Sequence, residues 1–209
     1  MNIPTTNLDL ARSIEVLAMP GVLIGHRVIA EGDELALWPG EVEAFANSVD
    51  KVKRASGAAR IVARGLMRQL GRAEQIVPKS ATGAPIWPQG LVGSLAHDAK
   101  VAVAAMAHSN QFQSLGIDVE PAEPLEPKLL SLVATASEAI RIAEDPCRGR
   151  LLFAVKEAVY KTLNPLDGQF LDHHDVEVNL ASGQAITRTG HAVQFRYGLS
   201  SHIVVLAFK

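Results

Sequence analysis

Residues 91–107 read LVGSLAH, DAK, VAVAAMA: an apolar run, a short polar break, and a second apolar run of strand length. That is the pattern of a strand, a tight turn and a strand, so the middle of the chain is expected to be a hairpin. On either side the hydrophobic period changes, which makes the fold mixed. From about Pro39 to Leu70, residues Phe45, Val49, Val52, Ile61, Leu66 and Leu70 recur at roughly helical spacing, with Gly71 as the stop and Gly57 as a weak point inside. Further upstream, residues 14–37 give IEVLAM and VLIGHRVIA, broken by Pro20-Gly21 and EGDE, which reads as consecutive strands. The stretch KSATGAPIWPQG, between the helix and the hairpin, is loop by its Pro and Gly content.

After Ser109 the chain begins again. QSLGIDVE is strand-like, EPAEPLEP is a Pro-rich spacer, and residues 128–144 and 148–163 read as helices. The end alternates in short β-like runs, VEVNL, AVQFRYG and HIVVLAF. The simplest organisation is two α+β halves, residues 1–110 and 111–209, with the boundary near residues 108–115.

The composition narrows the function. The chain has 209 residues, 48% of them hydrophobic, which is enough for one medium domain or two small halves sharing a core. Its 20 basic and 22 acidic side chains give a net charge of -2, so no broad field favours nucleic acid or an anionic membrane, and any bound anion must be met locally. The single cysteine, Cys147, excludes an internal disulfide framework and fits a reducing compartment. The stretch MNIPTTNLDLAR has no basic region followed by an apolar run, so neither export nor membrane insertion is expected, and the cytoplasm is the expected address.

GIDVE, residues 116–120, places Asp118 and Glu120 on one face of a strand, about 7 Å apart, with Ile117 and Val119 on the other. Two carboxylates at that spacing repel unless a cation lies between them, and hard oxygen ligands suit Mg²⁺; an ordinary exposed strand face fits the same letters. LLFAVKEAVYK, residues 151–161, puts Glu157 and Lys161 one helical turn apart, with Lys156 and Tyr160 beside them. A surface ion pair accounts for that pattern too, but together with GIDVE it offers a third carboxylate for a metal and an ammonium for a phosphate leaving group.

In GSLAHD, residues 93–98, Ser94 and His97 at a turn can contact phosphate. Arg54, Arg60, Arg64 and Arg68 recur on the first long helix, where Arg64 and Arg68 are expected on a solvated face. His173-His174-Asp175 gives no metal set, because adjacent histidines on an extended segment point apart and no further ligand spacing accompanies them. No serine or cysteine stands in a nucleophile context.

In order along the chain, KRASGAAR (53–60), KSATGAPIWPQGLVGSLAH (79–97), GIDVEP (116–121), TASEA (135–139), LLFAVKEAVYK (151–161) and PLDGQFLDHHDVEV (165–178) resemble the 4'-phosphopantetheinyl transferases of the Sfp/EntD type. The resemblance implies a pseudo-symmetric pair of α+β halves with the active site in the cleft between them. It implies a Mg²⁺-dependent transfer of phosphopantetheine from coenzyme A to a serine of an apo acyl or peptidyl carrier protein; two unlike halves make a monomer the expected working form. Asp118, Glu120 and Glu157 match the acids that hold Mg²⁺, and Lys161 the lysine on the phosphate. His97, Arg54 and Arg60 match positions that hold the nucleotide's phosphates, and Ser94 is a further cofactor-binding candidate from GSLAHD. Lys79, Thr82, Gly83 and Pro85 belong to the loop that lies along the adenine and ribose.

The chain departs from the pattern at Ala59, Thr82, Ala84, Ala96 and Ala154, which leaves the metal-site positions intact and bears on coenzyme A affinity. With Glu157 as proton acceptor, directly or through a metal-bound water, and Asp118 and Lys161 as the other catalytic candidates, the expected products are holo-carrier and 3',5'-adenosine bisphosphate. Two other functions use the same residues: a coenzyme A-binding module without turnover, and a Mg²⁺-dependent phosphohydrolase. The carrier served, whether of fatty-acid, polyketide, peptide or siderophore synthesis, is not written in the sequence.

Overall fold

The computed structural model of the chain describes residues 5–142 and 145–209. Its helices are α1 (Thr5–Glu15), α2 (Asp50–Gln69), α3 (Pro127–Val133), α4 (Ala136–Ile142) and α5 (Pro146–Asp167). Its strands are β1 (Val22–Val28), β2 (Leu91–His97), β3 (Val101–His108), β4 (Leu115–Pro121), β5 (Val176–Asn179), β6 (Gln184–Thr187), β7 (Ala192–Leu199) and β8 (His202–Phe208). Two antiparallel sheets result, ordered β1-β3-β2 and β4-β8-β7-β6-β5, so the fold is α+β as expected. The sheets divide at the connection between β3 and β4, while α1 packs against β1 of the first sheet and β7 and β8 of the second.

The hairpin forms where the sequence places it, with His97 opposite Ala102. The Asp98 carboxylate closes its turn by accepting the amides of Lys100 at 2.6 Å and Val101 at 2.8 Å. VAVAAMA is apolar on both faces because both are covered. Ala104 and Met106 pack under Val62, Ala63, Leu66 and Met67 of α2. Val101, Val103, Ala105 and Ala107 meet Leu115, Ile117, Val119, Val204 and Leu206 of β4 and β8. On the far side of the second sheet, Ile203, Val205 and Ala207 pack against α5. The core is therefore layered in the order α2, sheet, sheet, α5, with one apolar cluster common to both sheets.

Several expectations need correction. IEVLAM is not a strand: Ile14 and Glu15 end α1, because Leu10, Ile14 and Leu17 follow a helical period into the shared core. The long helix begins at Asp50, not Pro39. Residues 39–49 form turns and a short 3₁₀ helix, Val42–Phe45, anchored by Glu41, whose buried carboxylate accepts the amides of Trp38 at 2.9 Å and Val77 at 2.7 Å. Gly57 is a point of close approach and not a weakness, since a Cβ there would lie 1.9 Å from the Asp33 carbonyl oxygen.

The helix expected at 128–144 is two helices, α3 and α4, and its last residues, 143 and 144, lie outside those described. It breaks at Thr135, where the Glu138 carboxylate accepts the Thr135 amide at 2.8 Å and the Thr135 hydroxyl accepts the Glu138 amide at 3.3 Å. This is a capping box that TASE spells out. Strand β6 adds a further β-run between VEVNL and AVQFRYG, outside the three expected at the end of the chain. Among the described residues no helix is long and apolar enough to cross a membrane.

Candidate active site

Strands β2 and β4 are edge strands of the two sheets and run against each other. The C-terminal end of β2, with His97, therefore comes to the same region as Asp118 and Glu120 of β4. Helix α5 lies on the opposite side of β4, on the face shared by Gly116, Asp118 and Glu120. Gly116 allows this: a Cβ would stand 1.9 Å from the Ala158 carbonyl oxygen, so any side chain would push the helix away.

Asp118 is buried beneath the helix and is not on an exposed strand face. Lys161 Nζ donates to Asp118 Oδ1 at 2.6 Å and to the Ile117 carbonyl at 3.2 Å. The other oxygen, Oδ2, is buried without a hydrogen-bond partner among the described residues. Burial pushes the Asp118 carboxyl up to about 6 against the pull of the Lys161 ammonium, and Glu120 and Glu157 push it the same way.

Glu120, half-buried and also raised by burial, accepts from Arg150 Nη1 at 3.0 Å. Glu157 pairs with His173 Nε2 at 3.0 Å, a hydrogen bond that holds its carboxyl below the usual range. Glu157 and Lys161 are thus not a surface pair with each other: each turns to a different element.

Among the described residues no three His, Cys, Asp or Glu side chains are gathered to hold a metal as they stand, because each acid already faces a base. The donor set nevertheless fits a hard cation. Asp118 has an orphaned buried oxygen, and Glu120 and Glu157 both act on its charge, so the three carboxylates share one electrostatic neighbourhood.

Two neighbouring cavities lie here, the first lined by Lys161. One, about 220 Å³, is lined by Lys79, Thr82, Gly83, Pro85, Ser94, Tyr160 and Lys161. The next, about 150 Å³, shares Lys79, Gly83 and Pro85 with it and adds Phe45, Arg60 and His97. Lys79 and Arg60 both lie over the Phe45 ring, 5.4 Å and 5.0 Å from its centre. The loop that carries Thr82 and Gly83 is a tight turn, with Ser80 N bonded to the Ala84 carbonyl at 2.8 Å. Arg60 is buried, with Nε on the Val77 carbonyl at 2.9 Å. Arg54 lines neither cavity; it pairs with Glu34 at 3.0 Å. A third cavity, about 280 Å³, lies on the other side of Tyr160 between Glu157, Phe170, Leu171 and His173.

Arg64 is not solvated. It is buried against Glu41 at 3.1 Å and lies 4.4 Å over the Trp38 ring, whereas Arg68 is exposed as expected and pairs with Glu74. Sequence reasoning also missed Arg150 and His173, the partners of Glu120 and Glu157, since no local spacing links residues 30 and 16 positions apart.

A profile of the 4'-phosphopantetheinyl transferase N-terminal domain matches residues 40–107, and one of the 4'-phosphopantetheinyl transferase superfamily matches residues 114–206. Over 163 residues the chain is 36% identical to the 4'-phosphopantetheinyl transferase Npt of Nocardia iowensis, a match that covers 77% of this chain and 73% of Npt. It is 36% identical over 148 residues to Svp of Streptomyces mobaraensis, covering 68% of this chain and 60% of Svp. It is 32% identical over 144 residues to PptT of Mycobacterium tuberculosis, covering 67% of this chain and 63% of PptT. With the first profile falling on α2, β2 and β3, the second on the second sheet and α5, and Npt 36% identical over most of both chains, the chain belongs to the 4'-phosphopantetheinyl transferase superfamily.

Proposed function

We propose that the protein transfers the 4'-phosphopantetheine group of coenzyme A to a serine of an apo acyl or peptidyl carrier protein, releasing 3',5'-adenosine bisphosphate. The observation that carries this reading is the Asp118–Lys161 pair with its orphaned carboxylate oxygen, set at the mouth of a cavity walled by Lys79 and Ser94. Lys79, Arg60 and His97 bind the nucleotide's phosphates, and Phe45 backs the two cations. Arg54 serves the phosphates only after leaving Glu34. The pantetheine arm runs past Tyr160 into the cavity walled by Phe170 and Leu171.

Asp118, Glu120 and Glu157 would hold Mg²⁺, which supplies charge neutralisation to the diphosphate when bound. Glu157 accepts the proton of the carrier serine as its oxygen bonds to the β-phosphorus, and the bond from that phosphorus to the bridging oxygen breaks. Lys161 stabilises the charge left on the departing phosphate. A monomer suffices for this, since one chain supplies every residue named.

The test is to incubate the protein with coenzyme A, Mg²⁺ and a panel of apo carriers and to weigh the carriers by mass spectrometry. A carrier gaining the mass of phosphopantetheine is the expected result, and stripping divalent cations with EDTA is expected to stop the gain until Mg²⁺ is restored. Unchanged carriers with intact coenzyme A would mark a binding module, and free phosphopantetheine a hydrolase.

A further inference from the structure

His173 belongs to a turn that makes no metal set, yet its ring reaches the acid at the centre of the proposed chemistry. The turn is stiff. Asp172 accepts the His174 amide at 3.1 Å, and Asp175 accepts the Asp172 amide at 3.2 Å. Helix α5 then grips His173 at three points. Lys156 Nζ, itself buried on Glu138 at 2.6 Å and on the Val133 carbonyl at 2.8 Å, donates to the His173 carbonyl at 2.8 Å. The Phe153 ring packs on the imidazole with centres 5.5 Å apart. Nε2 meets Glu157 Oε1 at 3.0 Å. His174, by contrast, turns away to the Ser131 carbonyl at 3.2 Å.

Among the described residues His173 is the only hydrogen-bond partner of the Glu157 side chain. A glutamate has three rotatable side-chain bonds, and its neighbour one turn on, Lys161, is engaged with Asp118. Beside the charge of Lys161, His173 supplies the one hydrogen bond among the described residues that selects a Glu157 carboxylate orientation. With it, Oε1 is occupied, and the two residues line one cavity.

We infer that His173 is a positioning residue for Glu157: its ring N–H fixes the carboxylate so that one chosen oxygen meets the incoming carrier serine. This rests on the reading of Glu157 as the proton acceptor. It adds that this chain orients its acceptor through a residue from the segment after α5, held in place by the buried Lys156.

Two substitutions test it. His173→Phe keeps the ring against Phe153 and removes the donor; His173→Gln restores a donor near the place of Nε2. In the carrier-modification assay, kcat is expected to fall about tenfold or more in His173→Phe, as for loss of a hydrogen bond to a charged group, with KM for coenzyme A unchanged. His173→Gln is expected to recover most of that loss. In a Glu157→Ala background, His173→Phe is expected to add nothing. Full kcat in His173→Phe, parallel losses in kcat and KM, or losses that multiply in the double variant overturn the inference.

A crystal structure of His173→Phe decides the matter independently of activity. The Glu157 carboxylate is expected to leave its wild-type rotamer or to spread over several, and an unchanged rotamer overturns the inference even if the protein transfers nothing. Failure of the wild-type protein to modify any carrier bears on the proposed function alone.

Discussion

Helix α5 carries two lysine–carboxylate pairs five residues apart, Lys156 with Glu138 and Lys161 with Asp118, each with 2.6 Å between nitrogen and oxygen. By distance they are the same interaction. Lys156 is surrounded by Glu138 and the carbonyls of Val133 and His173, which use its three protons. Glu138 in turn accepts the amides of Thr135 at 2.8 Å and Val178 at 2.7 Å, and the side chains are 0% and 2% exposed. Around Lys161 the satisfaction is incomplete: its side chain is 27% exposed at a cavity, and Asp118 keeps one buried oxygen without a partner. A closed pair holds α3, α4 and the turn after α5 on the helix. An open pair leaves valence for a ligand, and that difference separates scaffold from site.

The largest effect expected from breaking this contrast is at Lys156. Lys156→Ala leaves the Glu138 carboxylate buried and unpaired, so unfolding in denaturant is expected to show a loss of about 3–5 kcal/mol. Lys161→Ala removes the same charge from the same helix, but Asp118 can take up a proton and the exposed edge admits water. Its stability loss is expected to stay below about 1 kcal/mol, while carrier modification falls by roughly 10²-fold because a cation aimed at phosphate is gone. Equal stability losses at the two lysines would erase the distinction.

Asp118→Asn sharpens the contrast through pH. The folded carboxyl titrates at about 6 against an ordinary 3.8, raised chiefly by burial, so between about pH 4 and 6 the folded state holds a proton that the unfolded chain has released. Stability therefore falls as pH rises through that window, and above it the full cost is about 2–3 kcal/mol. Asparagine carries no such cost. In EDTA the variant is expected to be more stable than wild type at pH 8 and equal to it below pH 4, with transfer abolished. A wild-type stability that instead gains on the variant's between pH 4 and 6 would mean that Lys161, and not burial, governs this carboxyl. Glu120→Gln, at a half-buried acid already served by Arg150, is expected to slow transfer less, since a water can replace one Mg²⁺ ligand.

How much of this was legible in the sequence depends on where the cause lies. The β2–β3 hairpin, β4 and the core of α5 were readable because their patterns are local: seven-residue apolar runs, a polar break and a helical period. The side-by-side carboxylates of GIDVE were readable from strand alternation, but the burial of Asp118 was not, because it requires Gly116 to let α5 approach. Glu41 anchors the segment before α2 through amides at residues 38 and 77, and the buried Arg64 pairs with the same carboxylate. No window of the sequence contains those partners together. The capping box at Thr135 and the helical period of Leu10, Ile14 and Leu17 are local signals too, but a longer helical pattern overlies the first and a strand-like one the second.

The smallest effect is expected at Arg68, which tests the contrast from the other side. Like Lys156 it is a long cation on a helix beside a glutamate, and its guanidinium bonds to Glu74. Its side chain is 64% exposed and that of Glu74 29%, so water solvates both before and after the pair is broken. Glu74 also keeps Arg64 within 3.9 Å, so its charge is not stranded when Arg68 is removed. Arg68→Ala is therefore expected to cost no more than about 0.5 kcal/mol, a cost that shrinks further in high salt because an exposed pair is screened. Thermal melts of wild type and variant at low and high ionic strength measure it. A loss approaching that of Lys156→Ala would show that ion pairing itself, and not the completeness of burial and hydrogen bonding around a pair, sets what a charged residue contributes to this fold.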